Sequence, residues 1–145
     1  MKRALVAGGA GFLGSQLCQS LLDKEYEVWC IDAFTTGRTE NIQHLLHRRE
    51  FHVVRGDICH KPRFSVRFHE IYNLASPASP KYFTSDGLAI LDTAALGHRN
   101  LLELSRDTDA RILLASSSEV YGDPLEHPQT ESYRGHVNCT GERSS

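Results

Sequence analysis

Three features of the 145-residue sequence predict an α/β fold built on a doubly wound parallel sheet. Short apolar runs alternate with amphipathic stretches, the pattern of repeated strand–helix units with parallel strands. The apolar run 4–7 leads straight into Gly8-Gly9-Ala10-Gly11-Phe12-Leu13-Gly14, a glycine-rich turn between a buried strand and a helix. Asp32 then closes a second apolar run, 27–31, eighteen residues beyond Gly14.

Each part of that arrangement has its own task in holding a dinucleotide. Gly8 permits the tight turn, Gly11 lets backbone approach a pyrophosphate, and Gly14 lets the helix pack closely on the strand. The helix directs its unpaired N–H groups and the positive end of its dipole at the phosphates. The Asp32 carboxylate accepts hydrogen bonds from a ribose diol. The same carboxylate repels the extra phosphate of NADP, so the cofactor expected is NAD. Arg38 is near enough in sequence to pair with a 2′-phosphate, which weakens that selection without reversing it.

Periodicity places strands at 3–7, 27–31, 51–55, 70–75 and 111–116, and helices at about 12–24, 40–48 and 85–107. Leu13, Leu17, Leu21 and Leu22 share one helical face, and Leu88, Leu91, Ala95, Leu101, Leu102 and Leu104 do similar work in the last helix; all are expected in the core. Gly56-Asp57 ends the third strand, where such sheets put ligand-facing loops. Residues 1–121 form the expected Rossmann-type NAD-binding domain. Residues 122–145 carry two prolines and no periodic apolar pattern, so they are expected as a partial loop segment of a fold truncated at its C-terminal side.

Bulk properties exclude several classes. A net charge of −2 with interspersed signs leaves no electrostatic footprint for nucleic acid or an anionic membrane. No apolar stretch approaches the ~20 residues that span a bilayer. The sequence enters a strand at once, leaving no room for a signal peptide, so the expected location is cytoplasmic. Cys18, Cys30, Cys59 and Cys139 contain no C-x-x-C and are expected as buried thiols of a reducing compartment. His44 and His47 would share a solvated helix face, no metal-ligand spacing appears among the eight histidines, and no metal is expected.

A second constellation follows the fifth strand, in Ala115-Ser116-Ser117-Ser118-Glu119-Val120-Tyr121-Gly122-Asp123-Pro124. Ser117 would bond a substrate oxygen undergoing hydride transfer, with Glu119 as acid or base. The alternative is a hydroxyl-rich strand end that satisfies its own backbone. The residues alone leave both readings open.

Taken together, these segments resemble a known family. Residues 7–14 are similar to the fingerprint of extended short-chain dehydrogenases. Thr36-Gly37-Arg38, Asn73-Leu74-Ala75-Ser76-Pro77-Ala78-Ser79-Pro80, residues 117–124, His127-Pro128-Gln129-Thr130-Glu131 and Gly141-Glu142-Arg143-Ser144 resemble the UDP-glucuronate decarboxylase branch, lyases of nucleotide-sugar metabolism that make UDP-xylose. The resemblance implies NAD contacts at Gly11, Phe12, Leu13, Asp32, Thr36, Gly37, Asp57, Ile58, Leu74 and Ser76, with Thr93 and Ala115 along the nicotinamide side. It implies a substrate-side place for Asn100 and catalytic roles for Ser117 and Glu119. The partners it implies are a UDP-sugar and either a second copy of the chain or a full-length relative.

In the chemistry that the resemblance implies, hydride leaves sugar C4 for NAD and produces a 4-keto sugar. The C5 carboxylate is then β to a ketone and departs as carbon dioxide, and the hydride returns. The cofactor carries the hard step while protein supplies orientation and proton transfer. The family's base is a Tyr with a Lys four residues later, and no tyrosine of this sequence has that lysine. By the family pattern that Tyr would follow Ser145, so the 145-residue chain is expected to be inactive alone. Ala7 replaces a Thr, and Asp92 falls where the decarboxylases carry a substrate-side Lys. Glu103, Arg106 and Asp107 replace a Gly and a Lys-Arg pair, and Cys139, Thr140 and Glu142 interrupt a Pro-Ile-Gly-Pro segment. Three other readings stand beside this one: a non-catalytic NAD-binding or partner-binding module, a nucleotide-sugar 4,6-dehydratase or 4-epimerase, and a chain that folds poorly because its sheet lacks its last strands.

Overall fold

Ala4, Leu5, Val6 and Ala7 are fully buried because their strand, β1 (Arg3–Ala7), is the middle of a parallel sheet covered on both faces. The computed structural model describes residues 1–77 and 86–140, which divide into two units, Met1–Leu114 and Ala115–Ser145. In the first unit the chain runs from β1 through helix α1 (Phe12–Asp23) to β2 (Glu27–Asp32) and β3 (Phe51–Arg55) on one side. It then returns across β1 to β4 (Glu70–Asn73) and, after helices α2 (Gly87–Asp92) and α3 (His98–Thr108), to β5 (Arg111–Leu114). The strand order is β3-β2-β1-β4-β5 and every pairing is parallel. The order reverses between β1 and β4, and such a switch point opens a crevice at the carboxyl ends of the strands.

Alternation along β1 divides the core in two. Ala4 and Val6 pack with Cys18, Leu21, Leu22, Val28 and Cys30 beneath α1, whereas Leu5 and Ala7 pack with Ile31, Ile58, Phe68, Ile71 and Leu101 beneath α3. The amino ends of the strands carry paired charges: Arg3 Nε meets Glu27 Oε2 at 2.7 Å, and Arg111 meets Glu70 Oε1 at 3.1 Å. Tyr72 and Tyr26 both donate their phenolic hydrogens to Glu70, at 2.7 and 3.2 Å.

Several expected elements differ. The helix expected at 40–48 is two 3₁₀ turns, Thr39–Asn41 and Gln43–Leu45. Ile42 and Leu45, three residues apart, are the two buried side chains there, and the three-residue turn stacks them on one side. His44 and His47 are exposed in that segment. The helix expected at 85–107 starts at Gly87, runs to Thr108 and widens into a π turn at Thr93–Gly97; position 85 lies outside the described residues. Only the side bearing Gly97 and Leu101 meets the sheet, so Leu88, Leu91, Ala95 and Leu102 are exposed rather than buried. Leu13 is exposed for the same reason at the start of α1, whose buried face holds Gly14, Cys18, Leu21 and Leu22. β4 stops at Asn73 because its Oδ1 accepts the Ala75 N–H at 3.1 Å and turns the chain. β5 stops at Leu114. Of the cysteines expected to be buried, Cys18 and Cys30 are, Cys59 is half-buried and Cys139 is exposed.

The second unit holds a 3₁₀ turn at Ser118–Tyr121 and a bridge between Gly122 and His136. Tyr121 and Tyr133 stack there with ring centroids 6.0 Å apart. Among the described residues no helix is long and apolar enough to cross a membrane.

Candidate functional site: a cleft at the strand switch point

A cleft of about 460 Å³ opens in the first unit over the carboxyl ends of the strands, within the size range of small-ligand pockets. Its floor is the glycine turn. Gly8 adopts φ +76°, and a Cβ there would lie 2.8 Å from the carbonyl carbon and oxygen of Leu74, so the ends of β1 and β4 meet without room for a side chain. A Cβ at Gly14 would strike the Gly8 carbonyl oxygen, which fixes glycine where α1 leaves the turn. Gly11 is the N-cap of α1, offers no side-chain acceptor, and is followed by no acidic residue in the first turn. The N–H groups at that helix end therefore face the turn with their dipole uncompensated, which suits a pyrophosphate.

Asp32, buried at the end of β2, forms the second anchor. Its Oδ2 accepts the Ala10 N–H at 2.9 Å and its Oδ1 accepts the Phe34 N–H at 2.8 Å. The Ala10 carbonyl in turn accepts the Arg38 N–H at 3.0 Å and the Asn41 amide at 2.8 Å, tying the glycine turn to the loop after β2. Gly37 packs against the carboxylate, where a Cβ would lie 2.8 Å from Oδ1. Each carboxylate oxygen keeps a second lone-pair direction, enough for a vicinal diol.

The loop after β3 supplies the third wall. Asp57 Oδ1 accepts the Cys59 N–H at 2.8 Å, and Asn100 of α3 donates to the carbonyls of Ile58 at 2.8 Å and Cys59 at 3.0 Å. Gly97 allows α3 to approach Ile58, which a Cβ would meet at 2.7 Å. The Thr93 hydroxyl donates to the Ala89 carbonyl at 2.8 Å and accepts the Cys59 thiol at 3.8 Å. Burial, assisted by the Asp57 carboxylate, pushes that thiol's pKa above its ordinary value.

The cleft brings together Gly8, Gly11, Asp32, Thr36, Asp57, Ile58, Leu74, Ser76 and Thr93 of the expected set. Phe12 and Leu13 do not line it; their side chains are 81% and 65% exposed on the first turn of α1. Gly14 and Gly37 lie behind the lining as packing positions, and the Asn100 amide is engaged by the β3 loop. Ala115, Ser117 and Glu119 belong to the second unit, where Ser117 Oγ caps the 3₁₀ turn by accepting the Glu119 N–H at 3.3 Å. Positions 78–80 of the Ser-Pro segment and residues 141–144 lie outside the described residues.

Sequence reasoning noted Asp92 only as a departure from a substrate-side Lys; it missed the wall that Asp86, Ala89, Ile90 and Leu96 form with it, and it missed Cys59 and His60. The negative charge of this wall was visible in the sequence, but its orientation depends on how α2 meets the sheet. Among the described residues that line the cleft there are four aspartates and no Lys or Arg. No group of three His, Cys, Asp or Glu side chains among the described residues is placed to hold a metal ion.

The sequence is similar to UDP-glucuronic acid decarboxylase 1 of Arabidopsis thaliana, with 46% identity over 142 residues, 98% of this chain and 32% of that protein. The chain thus spans about a third of the length of the curated relatives it matches. Its structure is similar to dTDP-glucose 4,6-dehydratase of Streptomyces venezuelae, solved with NAD bound, at a TM-score of 0.84 and 28% identity over 94% of this chain and 46% of that one. UDP-glucose 4-epimerase of Thermotoga maritima, solved with UDP-glucose, matches at a TM-score of 0.81 and 26% identity over 94% of this chain and 45% of that one. The same glycine turn, parallel sheet and acid at the end of β2 fall inside a family match that spans residues 5–138, and the chain belongs to the GDP-mannose 4,6 dehydratase family.

Proposed function

We propose that this chain is the NAD-binding part of a nucleotide-sugar-modifying enzyme, and that the complete reaction is decarboxylation of UDP-glucuronate to UDP-xylose. The observation that carries the cofactor is the convergence of Gly8, Gly11 and Asp32 on one cleft. The residues present fit the dinucleotide: the Gly8 and Gly14 positions leave no space for side chains, α1 begins without a capping acceptor, and Asp32 retains free lone pairs. The likeness to UDP-glucuronic acid decarboxylases at 46% identity supports the substrate class.

When bound, NAD supplies reversible hydride acceptance. The chain's own residues would hold and orient it: the turn N–H groups at the pyrophosphate, Asp32 at the ribose, Asp57, Ile58, Leu74 and Ser76 as further contacts, and Thr93 on the nicotinamide side. Gly37 packs against the Asp32 carboxylate and Thr36 lines the cleft near it, and Phe12 and Leu13 would contribute through backbone N–H groups. Ser117 and Glu119 keep the roles that the family resemblance implies for the complete enzyme, the substrate hydroxyl contact and the acid–base step, and Ala115 keeps the cofactor contact that it implies. Asn100 orders the β3 loop and through it the substrate side. No tyrosine of the 145 residues precedes a lysine by four positions, so the base of the decarboxylase pattern is not in this sequence.

A second reading, 4-epimerase or 4,6-dehydratase chemistry, is favoured by the structural likeness to such enzymes at 26% and 28% identity. Titration of the 145-residue polypeptide with NAD, followed by incubation with UDP-glucuronate, UDP-glucose and dTDP-glucose, tests the proposal. Saturable NAD binding without turnover is expected. Absence of NAD binding would overturn the cofactor assignment, and turnover of any of the three sugars would overturn the assignment of only the cofactor-binding part.

A further inference from the structure

We propose that the carboxylates of Asp86 and Asp92 make this cleft bind the oxidised dinucleotide more tightly than the reduced one, an inference that rests on the NAD reading above. Asp32, Asp57, Asp86 and Asp92 all line one space of 460 Å³, and among the described residues His60 is the only other ionisable lining group besides Cys59. Asp32 and Asp57 already accept backbone N–H groups, and Asp86 caps α2 by accepting the Ala89 N–H at 3.0 Å. Neither Asp86 nor Asp92 has an ion-pair partner among the described residues, and both are exposed to the cleft. A space of that volume is about one Debye length across at physiological ionic strength, so a charge anywhere inside it feels the wall.

NAD and NADH share the same phosphates, sugars and adenine, so the repulsion between the wall and the pyrophosphate is common to both. They differ by the positive charge of the pyridinium ring. The wall attracts that charge and has nothing to attract in its neutral, reduced counterpart. A unit charge about 8 Å away across water changes a binding constant by roughly twofold, and each carboxylate adds its own share.

The test measures dissociation constants for NAD and NADH on the 145-residue chain, on Asp92→Asn, on Asp86→Asn and on the double variant, at low and high salt. Asparagine retains the capping acceptor at position 86, and thermal melting of each variant verifies the fold. NAD is expected to bind more tightly in the original chain. The NADH-to-NAD ratio of dissociation constants is expected to fall by about twofold in each single variant and toward unity at high salt. A merely structural role would weaken both ligands together and leave the ratio alone. An unchanged ratio in the variants overturns the inference while the NAD reading stands; failure of both ligands to bind overturns both.

Discussion

Asp32 Oδ2 accepts the backbone N–H of Ala10 at 2.9 Å, so the end of β2 holds the glycine turn after β1 from the side. The same carboxylate therefore shapes the turn and is the group to which the proposed function gives the ribose. Asp32→Ala leaves the Ala10 and Phe34 N–H groups without their charged acceptor. Urea unfolding is expected to register a loss of about 2–3 kcal/mol, and NAD titration a loss of affinity. Asp32→Asn, which keeps an acceptor, is expected to recover part of the stability and little of the affinity.

Two glycines of the sequence should respond oppositely to alanine. At Gly14 a Cβ meets the backbone of Gly8 and Gly9, so Gly14→Ala is expected to destabilise by at least ~2 kcal/mol or to prevent folding. At Gly87 nothing lies within 4 Å of a Cβ and the residue opens α2, so Gly87→Ala is expected to stabilise by about 0.5 kcal/mol. Thermal melting of the pair separates close approach from mere flexibility.

Glu70 contributes to the pH dependence of stability, as does Glu27, which Arg3 holds below its ordinary value. The Tyr72 hydroxyl foremost, then Tyr26, Lys2 and Arg111, hold its carboxyl below the ordinary 4.5 although burial acts the other way. A depressed carboxyl contributes stability above its unfolded pKa and loses it as pH falls through the folded one, so stability is expected to decline below about pH 4.5. Burial and the Glu70 carboxylate push Tyr72 from 10 up to about 12. A raised phenol loses its contribution as pH rises from its unfolded toward its folded pKa, here from 10 to about 12. Glu70→Gln is expected to flatten the acid decline and Tyr72→Phe the alkaline one, measured by urea titration across pH.

Thiol accessibility reports on the cleft. A disulfide reagent is expected to modify exposed Cys139 quickly, half-buried Cys59 slowly, and buried Cys18 and Cys30 only on unfolding. Burial that raises the Cys59 pKa adds to its slowness. Because Cys59 lines the cleft, NAD is expected to protect it and leave Cys139 unaffected.

The glycine turn and Asp32 were legible because each depends on local stereochemistry: a positive φ at Gly8, a blocked Cβ at Gly14, an acid at a strand end. The five strands were legible from apolar runs with flanking turns; β4 and β5 ended two residues early and β2 ran one residue further, to Asp32. The helical face holding Leu88, Leu91 and Leu102 was not, because periodicity identifies an apolar stripe without saying which stripe meets the sheet. The segment 40–48 has two buried anchors three residues apart, a spacing that serves a 3₁₀ turn as well as an α-helix. The bonds from Asn100 to Ile58 and Cys59 span more than 40 positions, and nothing near Asn100 in sequence signals them.

Paired charges occupy the amino ends of the strands and the cleft occupies their carboxyl ends. The four steps of β1 separate the two by about 13 Å. Changes that far apart add rather than interact. Adaptation to heat or acidity can therefore proceed through Lys2, Glu70 and Arg111 while ligand preference evolves at Asp32, Asp86 and Asp92, and a lineage can inherit one trait without trading away the other.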